Sequence, residues 1–355
     1  MFKKILSCFF ILFGLAILSL STSPAFMRFV CEKRDGDQWW DANNMRGGNL
    51  AAIADLTFLK KFHAKDVPIT RPKYTGPCNT VLYIEGDSYT WSLRDTNFAG
   101  ITGYHFLDRY RGAFYHLDTT KRNILVTAIS EGWVRQYFRR LRMLDEIRDT
   151  TRHTAAVSIL YKQEPLTPTQ QATLVSWPGI SMFFNKNIEQ NLRCNLFNYN
   201  FMHIIFEFKG AINYYLFRRA SGDVVISDDG NYLFHRNTVS HTDTGSSYVP
   251  LTPGEKDLLV ENINHICDHY KAEGFSEVYL SMIPNTVSLM QPHGYNDLIP
   301  LIQNDPALRM KIIDVYYTFK KSSEDLFFHG DTHWNPTGKQ KWVDAVNTII
   351  ENNNK

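Results

Sequence analysis

The chain has 355 residues, 44% of them hydrophobic and 14% aromatic, with 21% charged residues and a formal net charge of +2. That content is enough to bury one large core or two modest ones, and it excludes a disordered chain. The near-neutral balance also excludes a protein held to nucleic acid by a dominant basic field, so no nucleic-acid partner is expected.

Met1-Phe-Lys-Lys4 precedes an unbroken apolar run over 5–20, the basic start and length of a signal-peptide core or a minimal membrane anchor. Ser23-Pro-Ala25 supplies small residues suited to cleavage, so 1–26 reads as a signal peptide or N-terminal anchor. The run is apolar on every face, unlike an amphipathic core helix. The rest of the chain is expected outside the cytoplasm, periplasmic or at the cell surface. Cys31, Cys78, Cys194 and Cys267 lie beyond this segment. An even number of cysteines permits disulfides in an exported chain, but the spacings set no pairing and contain no C-x-x-C zinc pattern.

Residues 31–49 are polar apart from Trp39-Trp40, and 50–63 carries Ile53, Leu56, Leu59 and Phe62 at helical spacing. Prolines 68, 72 and 77 mark a loop. The run 80–85 is continuously β-forming, as in a strand buried on both faces of a parallel sheet, and empties into Gly86-Asp-Ser-Tyr89. Ser88 thus falls just past a strand end, where open α/β sheets bind their ligands. Gly86 would let the backbone turn sharply and leave room for substrate.

A second strand over 123–129 leads through Ser130-Glu-Gly132 into a helix bearing Arg135, Arg139 and Arg142 on one side. These arginines form a solvated face, or else Arg135 reaches substrate or the oxyanion. From about 153 to 245 the pattern changes to an insertion rich in aromatic residues, including a long stretch over 183–217. Its rings serve either a helical core or sugar stacking. Within it, 223–234 reads as a hairpin around Asp228-Asp-Gly-Asn231. His235, His241 and Asp243 follow without fixed metal-ligand spacing, so no metal and no cofactor is expected.

Strand and helix then alternate again. Thr252-Pro-Gly-Glu255 has the pattern of a capping box opening a helix to Gly274; strands at 277–283 and 311–316 flank a helix over 296–304. The alternation predicts a mainly parallel sheet with helices on both faces, in one α/β domain over 27–355. The last organised stretch is Leu326-Phe-Phe-His-Gly-Asp-Thr-His-Trp-Asn-Pro-Thr-Gly338. Asn335 and Pro336 open a final helix, and Asp331 and His333 stand just ahead of it.

A serine hydroxyl needs a neighbouring imidazole to take its proton, and the imidazole needs a carboxylate to fix its tautomer. Ser88, His333 and Asp331 supply these three roles. His329 is a competing base without an aspartate at the same spacing. Oxyanion donors are expected from the backbone N–H of Ser88, a backbone N–H near Gly100 or Gly103, and the side chain of Asn285 or Arg135.

Gly86-Asp-Ser-Tyr89 with Asp331-Thr-His-Trp-Asn335 resembles the SGNH hydrolase superfamily, and within it the SGNH-like alginate O-acetyltransferase group, whose hallmark is Asp-x-His-Trp. The hairpin over 225–234 and the 313–316 run are similar too, so the resemblance touches roughly half the chain. It implies a three-layer, flavodoxin-like fold and an exported serine acyltransferase or esterase acting on O-acetyl groups of a cell-envelope or secreted polysaccharide, with a membrane-bound acyl-donor protein as partner. Trp334 would then be a substrate contact. In that acetyltransferase group the Asp-x-His-Trp segment precedes the serine; here the serine comes first, as in ordinary SGNH hydrolases. Tyr232 stands where the group's hairpin carries tryptophan. A plain carbohydrate or lipid esterase, and a non-catalytic carbohydrate-binding or assembly subunit, are the alternative readings.

Overall fold

The computed structural model describes residues 2–23, 26–27, 48–62, 69–70, 73–110, 113–141, 147–149, 188, 192, 200–220 and 222–354. Trp39-Trp40, Cys31, Cys194, Arg142 and most of the aromatic stretch ahead of residue 200 lie outside them. The chain divides into two compact units, Met1–Met45 with Ser158–Phe217, and Arg46–Val157 with Arg218–Lys355.

The first unit contains a helix, Phe2–Thr22, and a second helix, Asn200–Phe217. Lys3–Thr22 has a mean hydropathy of 2.3 and is long and apolar enough to cross a membrane. Its side chains are largely exposed, Phe9, Phe10, Ile11 and Leu12 among them. Such a helix is compatible with a signal sequence or an anchor.

The second unit is built on a five-stranded sheet. Its strands are β1 (Thr80–Gly86), β2 (Gly103–Asp108), β4 (Arg122–Ser130), β8 (Glu277–Ile283) and β9 (Lys311–Ile312), in the order β2-β1-β4-β8-β9. Every pair is parallel. Counted among themselves these strands run 2-1-3-4-5, so the order reverses between β1 and β4 and opens a crevice beyond their C-terminal ends. Two short strands, β3 (Ala113–Tyr115) and β5 (Ile147–Asp149), pair in parallel apart from this sheet, and β6 (Val224–Ile226) with β7 (Leu233–His235) makes the expected antiparallel hairpin.

Helices cover both faces because the central strands are apolar on both. Val81, Tyr83, Leu125 and Ile129 pack with Val134 and Phe138 of helix Glu131–Phe138 and with Leu259, Ile263 and Ile266 of helix Glu255–Glu273. The alternate side chains, Leu82, Ile84, Ile124, Val126 and Ala128, pack with Trp342, Val343, Val346 and Ile350 of helix Pro336–Asn354. Trp342 Nε1 also donates to Ser281 Oγ of β8 over 2.8 Å, satisfying both buried groups.

Local differences from the expected elements have physical causes. The helix expected over 50–63 is only Asn49–Ile53, followed by Asp55 at φ 58° and a 3₁₀ turn at Lys60–Phe62. Leu56, Leu59 and Phe62 are buried all the same, whereas Ile53 is exposed, so the apolar spacing does not mark the inner face of one continuous helix. The strand expected over 311–316 ends at Ile312, and Val315 caps a helix, Tyr316–Lys320. A short apolar run fits either state, and here burial of Val315, Tyr316 and Phe319 selects the helix. Only half of the capping box expected at 252–255 forms: Glu255 Oε2 accepts from Thr252 N and Oγ1 at 2.9 Å each, but Glu255 N donates to the Thr252 carbonyl at 3.0 Å and not to its hydroxyl, and Gly254 at φ 75° is the cap, with the helix beginning at Glu255. Asn335 caps its helix as expected, its Oδ1 accepting from Thr337 N at 2.9 Å and Gly338 N at 3.0 Å.

Candidate active site

Past the end of β1 the chain makes a tight turn around Asp87. The carbonyl of Asp87 accepts from Thr90 N at 2.9 Å and Trp91 N at 3.1 Å, while its Oδ1 accepts from Tyr89 N at 3.1 Å. Ser88 is held at the crest of this turn with its side chain exposed. Gly86 serves the turn differently from the sequence expectation. A Cβ there would collide with the Thr90 hydroxyl, so the missing side chain makes room for Thr90 and not for substrate.

Behind the turn lies a buried ion cluster. Arg109, just past β2, pairs with Glu85 through Nε and through Nη2 (2.7 Å to Oε2), donates to the Ala128 carbonyl at 2.7 Å, and approaches Asp87 Oδ2 at 3.4 Å. Tyr137 donates to Glu85 Oε1 at 3.2 Å and lies under the guanidinium. Burial pushes Glu85 upward against the pull of Arg109; burial would lower Arg109, and Glu85 more than offsets it. The guanidinium therefore stays charged and ties the ends of β1, β2 and β4 together behind the serine.

The segment between Phe327 and Trp334, which bridge each other in antiparallel fashion, brings the other two groups. His333 Nε2 lies 2.8 Å from Ser88 Oγ, and His333 Nδ1 lies 2.5 Å from Asp331 Oδ1. Asp331 Oδ1 also accepts from His333 N at 3.0 Å, and its Oδ2 accepts from Asn49 N at 2.8 Å. Burial would raise the Asp331 carboxyl, but hydrogen bonds from His333 and from the Asn49 and His333 amides outweigh it and hold the group below the usual carboxylate range. An ionised Asp331 facing Nδ1 leaves Nε2 free to accept the serine proton.

Tyr89 joins the two halves. Its hydroxyl donates to the Thr332 carbonyl at 2.6 Å, and its ring lies 4.7 Å from the His333 ring and edge-on to Trp334. Nothing in the sequence marked Tyr89 beyond its place after Ser88, and Asn49 acts through a main-chain N–H that side-chain reading cannot see.

Ser88 opens into a cleft of about 370 Å³ whose walls come from Asp87–Tyr89, Ser130–Trp133, the loop 235–245 and Asn285. The loop belongs to the stretch expected to be an insertion, yet residues from Arg218 onward lie in the α/β unit, and Leu233 N bonds the His329 carbonyl at 2.8 Å. His235 and Asp243 line this cleft, while His241 does not. Among the described residues no cluster of three or more His, Cys, Asp or Glu side chains suits a metal, and Cys78 and Cys267 are free thiols.

The remaining candidates separate clearly. Asn285 lines the cleft; its N–H donates to Glu131 Oε2 at 2.9 Å and its Nδ2 to Ser247 Oγ at 3.0 Å. Gly103 does not belong to the site: it opens β2 opposite Val81, at the end of the sheet remote from Ser88. Gly100 lies at the same remote end, its carbonyl taken by Asn354 Nδ2 at 2.8 Å. Arg135 is neither solvated nor at the cleft. It is buried against Glu255, with 2.7 Å contacts to both carboxylate oxygens, and donates to the Val249 carbonyl at 3.0 Å. Trp334 is 1% exposed, packed among Tyr89, Phe319 and Trp342, and is a core residue, not a substrate contact. His329 pairs with Asp325 at 2.6 Å and lies against the Tyr232 ring at a tilt, so it does not compete for Ser88.

No family model, no curated protein and no solved structure matches this chain.

Proposed function

We propose that the chain is an exported serine enzyme that transfers or removes an acyl group, most simply acetyl, on a polysaccharide. The observation that carries this is the continuous line from Ser88 Oγ through the His333 ring to Asp331, with contacts of 2.8 and 2.5 Å. The likeness of the Gly86-Asp-Ser-Tyr89 and Asp331-Thr-His-Trp334 segments to SGNH enzymes supports the same chemistry, and the apolar helix Phe2–Thr22 supports export or tethering, at the cell surface or in a periplasm.

In the first half-reaction Ser88 Oγ attacks the acyl carbonyl carbon as its proton passes to His333 Nε2. The resulting oxyanion would be stabilised by donors at the cleft, for which the Ser88 N–H and the Asn285 side-chain amide, once released from Ser247, are candidates. Collapse of the tetrahedral intermediate expels the leaving alkoxide, which takes the proton from His333. In the second half-reaction His333 removes a proton from water or from a sugar hydroxyl, which attacks the acyl-serine and frees Ser88. Water gives an esterase and a sugar hydroxyl gives a transferase; a membrane-bound acyl-donor protein would supply the acyl group in the second case. Solvent exposure of Ser88 favours the hydrolytic outcome when no acceptor fills the cleft.

The test is release of p-nitrophenol from p-nitrophenyl acetate, with and without oligosaccharide, by the wild type and by Ser88→Ala. Serine-dependent release supports the enzyme, and acceptor-enhanced release with an acetylated product identifies a transferase. Release that is absent, or equal in Ser88→Ala, rejects both enzymes in favour of a carbohydrate-binding or assembly subunit.

A further inference from the structure

Three large rings stand exposed together, two of them in the wall of the cleft and the third beside them. Trp91, Tyr110 and Trp133 are 45%, 54% and 40% exposed, although tryptophan and tyrosine ordinarily bury much of their surface. Trp91 and Tyr110 meet edge to face with ring centres 6.5 Å apart, and Tyr110 meets Trp133 the same way at 6.2 Å. The rings arrive from three neighbouring strands: Trp91 from the turn after β1, Tyr110 from the residue after Arg109 beyond β2, and Trp133 from the helix that follows β4. The ion cluster of Glu85, Arg109 and Asp87 lies directly behind two of these strand ends, so the rings are mounted on a rigid base. Tyr110 and Trp133 line the cleft that holds Ser88.

We propose that Trp91, Tyr110 and Trp133 form a sugar-stacking subsite that seats an uncharged glycan beside Ser88. This rests on the acyl-transfer reading of the Ser88 site and specifies its substrate. Pyranose rings present apolar C–H faces and a polar hydroxyl rim, which calls for exposed aromatic faces next to uncharged hydrogen-bonding groups. The cleft supplies the second element through Gln136, Asn237, Thr238, Thr244 and Asn285. Its charge selects against acidic sugars. Asp87 and Asp243 line it, while no Lys or Arg does among the described residues; Arg139 and Arg140 line a neighbouring cavity of about 290 Å³. A uronate would meet the exposed Asp243 carboxylate and no cationic partner, whereas a neutral sugar meets no such penalty.

The test uses the full-length Ser88→Ala protein in detergent, so that binding is measured without turnover. Titration calorimetry with neutral gluco-, manno-, galacto- and N-acetylglucosamine oligosaccharides, against uronate oligosaccharides of equal length, reads the preference. At least one neutral series is expected to bind at least tenfold more tightly than the uronates. Adding Trp133→Ala or Tyr110→Ala is expected to weaken that binding tenfold or more, while Trp133→Phe, which keeps an aromatic face, retains most of it. Thermal melts of each variant separate lost binding from lost fold. The subsite is overturned if no neutral series binds at millimolar concentration, if uronates bind as well or better, or if a folded Ala variant binds unchanged. Loss of the catalytic reading looks different: p-nitrophenyl acetate release independent of Ser88, with glycan binding intact.

Discussion

The main-chain N–H of Asn49 donates to Oδ2 of Asp331 across 2.8 Å, joining residues 282 apart in the chain. Neighbouring bonds reinforce the junction: Leu50 N and Ala51 N both reach the Gly330 carbonyl, and the Asn49 side chain exchanges bonds with Thr332. Gly48 makes the approach feasible. It sits at φ 90°, and a Cβ there would lie 2.6 Å from Asp331 Cβ. Gly48→Ala is therefore expected to push Asp331 off the His333 ring and lower kcat by about 10- to 100-fold, as misplacements near 1 Å do. Steady-state kinetics of Gly48→Ala against Asn49→Ala, which retains the main-chain donor, checks it; equal losses would contradict the steric cause.

Asp331→Asn should keep the size of the side chain while removing the charge that fixes the His333 tautomer. The expected fall in kcat is on the order of 10⁴-fold, the scale of the corresponding change in serine proteases. Covalent labelling by a fluorophosphonate should slow in parallel, and an undiminished labelling rate would exclude Asp331 from the triad.

Arg109→Met leaves Glu85 buried and unpaired, at a cost of about 3–5 kcal/mol of stability. Arg109→Lys restores the charge without the bidentate geometry and should recover only part of it. Chemical denaturation of the two variants measures the difference. Replacing Glu85 and Arg109 together by apolar residues should be far milder than either single change.

Tyr89→Phe removes the donor to the Thr332 carbonyl but keeps the ring against His333. The expected cost is about 1–3 kcal/mol of stability, with a lower kcat and little change in KM for a small ester. A changed KM with kcat preserved would point to substrate contact in place of positioning.

Glu131 gives a pH signature. It is buried, accepts from Asn285 N at 2.9 Å and Ser288 Oγ at 2.5 Å through Oε2, and has the Tyr295 hydroxyl as a further partner. Burial raises its carboxyl above the ordinary 4.5, against these hydrogen bonds. The folded state then keeps this proton to a higher pH than the unfolded state does. Its contribution is most favourable below the unfolded value and declines as pH rises from there through the raised folded value. Glu131→Gln should lose less stability than the wild type as pH rises from the ordinary carboxylate value of 4.5, with Glu85 contributing the same sign in both. Parallel slopes for the two proteins would exclude Glu131 as a source of the effect.

The triad was legible because each member stands at a chain landmark: Ser88 follows a continuously apolar strand, and Asp331 and His333 precede a well-capped helix. The sheet was legible from strand–helix alternation, and its reversal point explains why the ends of β1 and β4 share one cleft. Arg135 could not be assigned, because its partner Glu255 is 120 residues away and only packing of two helices on the same sheet face brings them together. Trp334 was misplaced for a related reason: a tryptophan beside a catalytic histidine has the same sequence signature whether it faces substrate or core. Trp91, Tyr110 and Trp133 are scattered singletons in the sequence, and they become neighbours only through the β2-β1-β4 strand order.

Ser88 and His333 are separated by 245 residues. During synthesis Ser88 emerges long before His333, and chains generally acquire structure from the N-terminal side. A nascent or stalled product ending ahead of Asp331 carries an unactivated alcohol. The proposed acyl chemistry would thereby wait until nearly the whole α/β unit has been made.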